Sequence, residues 1–185
     1  MRLIIAAVLG GFVMFVWGAI GHTFLGIGEA GVSSMPNEAA MAAAFKQNIP
    51  EPGLYFLPWM PMTRKMSEEE QAAFAAKIKE GPVAILVYRP TGEDLNLFRQ
   101  LGIELASNIA AALVVGMILT FAAVSWGRGV IISTLVGLSG WLSINVSYWN
   151  WYGFPTNFVT SELIEQVVGW LLSGFVLGYI LRRRE

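Results

Sequence analysis

One histidine, three acids and three amides lie close to where long uncharged stretches begin or end: His22, Glu104, Glu162, Glu165, Asn108, Asn145 and Gln166. A histidine among carboxylates can bind a divalent metal, relay a proton or hold a polar ligand. His22 is the only histidine and there is no cysteine. The multi-histidine shells of catalytic zinc, thiolate sites and bis-histidine haem are therefore out of reach. A single axial bond to a haem or chlorin, or a share in a divalent metal, remains open at His22. Ionisable groups inside apolar helices are functional candidates by default. The plainer alternative is that these residues mark helix ends in the membrane interface, where polarity costs little and Glu162 and Glu165 suit a helix N-terminus. On the site reading, Glu104 is expected to face the interior of a bundle and to meet His22 or the start of the last helix.

Two other patterns carry weaker chemistry. Gly26-Ile27-Gly28-Glu29-Ala30-Gly31 spells the dinucleotide fingerprint, but it follows an apolar run with no βαβ unit around it, so a flexible loop is expected. Met60-Pro61-Met62 with Met66 offers thioethers for Cu(I). With Trp59 alongside, methionine as pliable packing is the better reading.

These residues have to be positioned by four apolar runs. Leu3 to Ile20, Leu105 to Trp126 and Val130 to Trp149 carry no charge, and Leu163 to Leu181 carries only Glu165. About 20 such residues cross a bilayer as a helix, and continuous runs exclude alternating barrel strands. A cleaved signal peptide ending near Ala19-Ile20-Gly21 is the alternative for the first run; the length of the run and Trp17 favour a retained helix. The expected fold is an all-α membrane protein, a four-transmembrane-helix bundle with a small α+β extracytoplasmic segment between helices 1 and 2. Residues 1–21 form the first transmembrane helix, 22–101 the outside segment, and 102–185 helices 2–4 with an Arg-rich end.

Arg2, Arg128 and Arg182-Arg183-Arg184 fall on one side of four alternating helices, whereas the link Trp149 to Glu162 holds no Lys or Arg. The positive-inside rule then puts both termini in the cytoplasm, with a bacterial inner membrane as the expected location. Trp17 and the cluster Tyr148, Trp149, Trp151, Tyr152 and Phe154 would form an outer aromatic belt. Small residues recur every three or four positions: Gly129, Ser133, Gly137, Gly140, Ser143 and Ser147 in the third run, Gly174 and Gly178 in the fourth, and Ala7, Gly11, Gly18 and Gly21 in the first. Such stripes let helices approach in lipid. They serve packing within the bundle or, at Gly174/Gly178, docking of another membrane subunit or a second copy.

Of 25 charged residues, 16 lie between Thr23 and Leu101, which makes this the wet part. Helices are expected at about 37–47 and 67–79, the second opened by a Ser67/Glu70 capping box. A strand is expected at 83–88 with Leu54 to Leu57 as partner. Thr91 to Asp94 is a further capping signal, for a helix running into the second apolar run with a weak point at Gly102. So small a segment is marginal alone, and Tyr55, Phe56, Trp59, Met60 and Met62 are expected to rest it on the membrane helices.

Charged residues make up 14% of the chain, against ~25% in soluble domains, and mean hydropathy is +0.58. The apolar excess needs lipid as its neighbour. A net charge of −1 gives no basic surface for nucleic acid. With no catalytic motif, the leading expectation is a non-enzymatic accessory, assembly or interaction subunit of a membrane complex. The alternative is a small membrane enzyme or carrier with a polar or metal site at the outer helix ends. No resident cofactor is expected beyond those His22 leaves open.

Overall fold

Two rows of small residues on one helix organise the apolar part of the chain. A computed structural model describes residues 1–61, 63–92 and 94–183. Its long helices are α1 (Arg2–Phe24), α4 (Leu97–Phe121), α5 (Trp126–Tyr152) and α6 (Thr156–Leu181), all long and apolar enough to cross a membrane. Between α1 and α4 lie the short helices α2 (Glu38–Asn48) and α3 (Glu68–Glu80) and the strands β1 (Gly53–Leu57) and β2 (Ala84–Tyr88). The chain is mostly helical and divides into two units: the long helices with residues 1–33, and Ser34–Asp94.

In the first unit α6 is central. Its row Trp170, Gly174, Gly178 faces α5. A Cβ on Gly178 would lie 2.8 Å from the Trp126 carbonyl oxygen, and one on Gly174 would lie 2.9 Å from the Ser133 Cβ. Gly137 answers from α5, where a Cβ would meet Trp170 Cδ1 at 2.6 Å. The other row of α6, with Gly169, Ser173 and Leu177, faces α1. The dipeptide Gly10-Gly11 lets α1 fit between two helices. Gly10 abuts Ser173 Oγ and Leu177 of α6, and Gly11 abuts the α4 backbone, with its Cβ position 2.5 Å from the Ile109 Cα. Ala6, Ala112, Val115, Leu119, Trp170 and Leu177 form the core. Ser133 inside the bundle bonds its own helix, donating to the Gly129 carbonyl at 2.9 Å, whereas the buried Ser173 hydroxyl against Gly10 has no hydrogen-bond partner among the described residues.

Two expectations about small residues change. Gly140 meets nothing within 4 Å. The α5 seam passes instead to Trp141, whose indole N–H donates to the Val159 carbonyl at 2.8 Å. Gly174 and Gly178 are covered by α5 of the same chain, so they are not free to dock another subunit.

The arginines gather at one end of the bundle. The Arg2 guanidinium donates to the Ile180 carbonyl, the Arg183 N–H donates to the Val124 carbonyl at 3.1 Å, and the Arg182 guanidinium lies 4.0 Å from the centre of the Tyr179 ring. Arg184 of the expected basic run lies outside the described residues.

In the second unit β1 and β2 pair antiparallel, Tyr55 opposite Leu86, with Pro52 and Pro58 bounding β1. The Ser67/Glu70 capping box forms as expected. Arg64 holds both Glu70 oxygens, at 2.6 and 2.8 Å. That cation and the Ser67 N–H hold the Glu70 carboxyl well below its usual range, at about 2. Both faces of the sheet are apolar: Leu54, Phe56, Ile85 and Val87 on one, Tyr55, Leu57, Leu86 and Tyr88 on the other. Only Tyr88 is buried among the described residues of this unit; it meets Phe45 of α2 edge-to-face at 6.2 Å. Met62 and Glu93 lie outside the described residues. The next helix is capped by Asn96, which accepts from the Arg99 N–H at 2.9 Å, rather than by Thr91. It runs through Gly102 without a break.

Candidate functional site

Helix boundaries decide how deep the acids lie, and both key helices begin earlier than the apolar runs suggest. α4 starts at Leu97 and α6 at Thr156. Glu104 and Glu165 are thus about two turns inside their helices at 3.6 residues per turn, and neither sits at a helix N-terminus. The chain pairing shows the depth of Glu104. Gly11, near the middle of α1, packs on Asn108 and Ile109 of antiparallel α4. Counting back along α4 puts Glu104 level with about Phe15, some 10 Å below His22 at 1.5 Å per residue.

A cavity of about 620 Å³ opens between α1, α4 and α6 at the end of the bundle away from the arginines. His22, Glu104, Asn108, Glu165 and Gln166 line it, with Met14, Phe15, Trp17 and Leu101 among its apolar walls. Five of the seven residues singled out as polar groups at the ends of the runs therefore share one space. The other two, Asn145 on α5 and Glu162 on α6, lie beside each other instead.

Among the lining residues, a histidine of α1 meets a carboxylate of α6. His22 Nε2 lies 3.1 Å from Glu165 Oε2 and 3.3 Å from Oε1, so an N–H there donates to the carboxylate. The pair is partly open, the His22 side chain 54% exposed and that of Glu165 22%. Its supports are specific. Trp17 donates its indole N–H to the Glu165 backbone carbonyl at 3.1 Å and packs on Gly169. Gly18 leaves room at the Glu165 carboxylate, with its Cβ position 3.6 Å from Oε1. On the other side of the ring, the position a Gly28 Cβ would take is filled by His22 Nδ1.

No family model, curated protein or solved structure matches this chain. The geometry alone therefore has to speak for the site.

That geometry gives the Gly26–Gly31 motif a structural role in place of a flexible loop. Gly26 and Gly31 take positive φ, 66° and 77°, which favours glycine. The 3-10 turn Ile27–Glu29 between them brings Gly28 against the His22 ring. Trp17, expected in an interfacial belt, is a wall of the cavity. Tyr148, Trp149, Trp151 and Tyr152 are exposed, with Tyr148 stacked on Phe154 at 5.3 Å.

Glu104 departs from expectation in its contacts. It lines the cavity from the α4 side, but its side chain is exposed and accepts no hydrogen bond from a described residue. The partner of His22 is Glu165. As to metals, no group of three or more His, Asp or Glu side chains clusters as a metal site among the described residues. An axial bond from His22 to a haem or chlorin would have to displace Glu165 from Nε2 or Gly28 from Nδ1.

Gly10 and Gly169 are packing positions outside the small-residue stripes of the sequence. For Gly10 the sequence carries a signal: Ala6-Ala7 followed four residues later by Gly10-Gly11 is a double small-residue row, one row for each neighbour.

Proposed function

We propose that this chain is a multi-pass protein of the bacterial cytoplasmic membrane with both termini in the cytoplasm, and that it binds a small polar or amphiphilic molecule in the groove between α1, α4 and α6. Four helices long and apolar enough to span, with Arg2, Arg182 and Arg183 drawn to one end, support the placement through the positive-inside rule. The observation that carries the binding role is the approximately 620 Å³ cavity, which joins His22, Glu104, Asn108, Glu165 and Gln166 from three helices. That size falls within the ~300–1,000 Å³ of ligand sites, and a mostly apolar wall with a few convergent polar groups is their usual make-up. Carboxylates two turns inside apolar helices are expensive unless they are used.

The experiment is purification of the full chain in mild detergent, followed by mass spectrometry of what it retains. Wild type is expected to carry a small molecule or lipid. Gly18→Leu, which extends a side chain into the groove, is expected to lose it while the chain stays folded. Equal retention by both sinks the reading.

A second reading, an accessory subunit of a membrane complex, draws on the second unit. Its sheet is apolar on both faces, with Leu54 58%, Leu57 54% and Val87 72% exposed. Two-stranded sheets are marginal without cover. Co-purification of one defined protein, lost on Val87→Lys, would favour it.

A further inference from the structure

The charge of the groove specifies more than a polar ligand. We propose that the groove selects a molecule bearing a positively charged nitrogen, with Glu104 and Glu165 as its counter-charges; this rests on the binding reading above. Among the described residues that line the cavity, two are acids and His22 is the only one able to carry positive charge. The two acids are not equivalent. Glu165 already has His22 at 3.1 Å and Trp17 fixing its backbone. Glu104 has a carboxylate with no hydrogen-bond partner, on the opposite wall. An ionised carboxylate only accepts hydrogen bonds, and that of Glu104 is exposed on the cavity wall with its acceptors free. An ammonium group supplies both the charge and the donors.

The remaining lining agrees. Asn108, beyond Glu104 on the same helix, and Gln166, beside Glu165, add amides that can accept hydrogen bonds to the lining. Trp17 and Phe15 are among the lining residues, and aromatic side chains are favourable neighbours for a cation. An anionic head would meet two like charges and no arginine. A neutral one could donate hydrogen bonds to Glu104 but would leave its charge uncompensated. The space is also amphiphilic: Met14 and Phe15 lie deeper in α1 than His22, and Leu97 and Leu101 line it from α4. The shared chemistry is an ammonium, which an ethanolamine lipid head or a free amine could provide.

The test uses the full chain in detergent and native mass spectrometry with three probes: a short-chain phosphatidylethanolamine, the matching phosphatidylglycerol, and ethanolamine in water. The ethanolamine lipid or ethanolamine is expected to bind at least tenfold better than phosphatidylglycerol, and Glu104→Gln to abolish the preference. Because the Glu104 carboxylate holds no other residue, this variant should fold as wild type. Preference for the lipid assigns a headgroup; preference for ethanolamine assigns a free amine. Equal binding of phosphatidylglycerol, or an unchanged preference in Glu104→Gln, overturns the ammonium proposal while leaving groove binding intact. If no probe binds and nothing co-purifies, both fall.

Discussion

The two ends of the helical bundle are built on opposite rules. Toward the arginines, α4 and α6 converge, with Leu177 and Leu181 within 3.9 and 3.3 Å of a Gly116 Cβ position, and α5 closes on α6, where a Cβ on Gly129 would lie 2.8 Å from the Gly178 Cα. Toward His22, α4 and α6 are separated by a cavity, and α1 bridges them. Small residues close the first end, and a histidine, two acids and two amides line the gap at the second. The same helices therefore supply rigidity at one end and a site at the other. Glycine in the seam is a packing residue; a carboxylate in the gap is expensive unless it has a use.

The most severe way to break this contrast is at the closed seams. Gly11→Leu drives a side chain into the α4 backbone and should prevent folding, a loss beyond the ~1–3 kcal/mol typical of overpacking; detergent-resistant monodisperse protein would contradict it. Gly137→Leu should destabilise within that ~1–3 kcal/mol range, whereas Gly140→Leu, facing open space, should stay within ~0.5 kcal/mol of wild type. Thermal melts of the pair in one detergent read the difference, and equal losses would mean that the seam does not turn at Trp141.

At the open end the effects are smaller and local. Gly28→Ala should push the His22 ring off Glu165 and leave the fold intact. Imidazole nitrogen shifts would report the lost contact, and unchanged shifts would remove the role given to the Gly26–Gly31 turn. Smallest is the ion pair outside the bundle, Arg64–Glu70. Glu70 should titrate near 2, and Arg64→Ala should return it toward the ordinary range. Since its folded value is depressed, any stability it lends is complete above the ordinary carboxyl range and disappears as pH falls toward 2. A carbon-detected titration with an ordinary midpoint in wild type would contradict the pairing.

Much of this was legible in the residues. The four apolar runs, the Ser67/Glu70 box and the Leu54 to Leu57 partner strand follow from periodicity and capping chemistry, which act locally. Five polar-site residues came together because alternating helices must bring those ends together. Depth was not legible. Thr156, Asn157, Thr160 and Ser161 are polar, so α6 looked shorter than it is and Glu165 looked terminal. Gly140 looked equivalent to Gly137 because a stripe of threes and fours does not say where a bulky neighbour such as Trp141 takes over. The pairing of His22 with Glu165 rather than Glu104 depends on which wall of the groove each helix forms, a tertiary fact with no local sign.

The central claim is that Glu104, two turns into an apolar helix, lines a groove that a ligand can enter from the His22 end. The chain has no cysteine, so single cysteines can be read without background. In intact cells, a membrane-impermeant cationic thiol reagent added outside should label Glu104→Cys and spare Ala112→Cys, whose position is fully buried. Protection of Glu104→Cys from that reagent, or labelling only from the cytoplasmic side, would contradict the account.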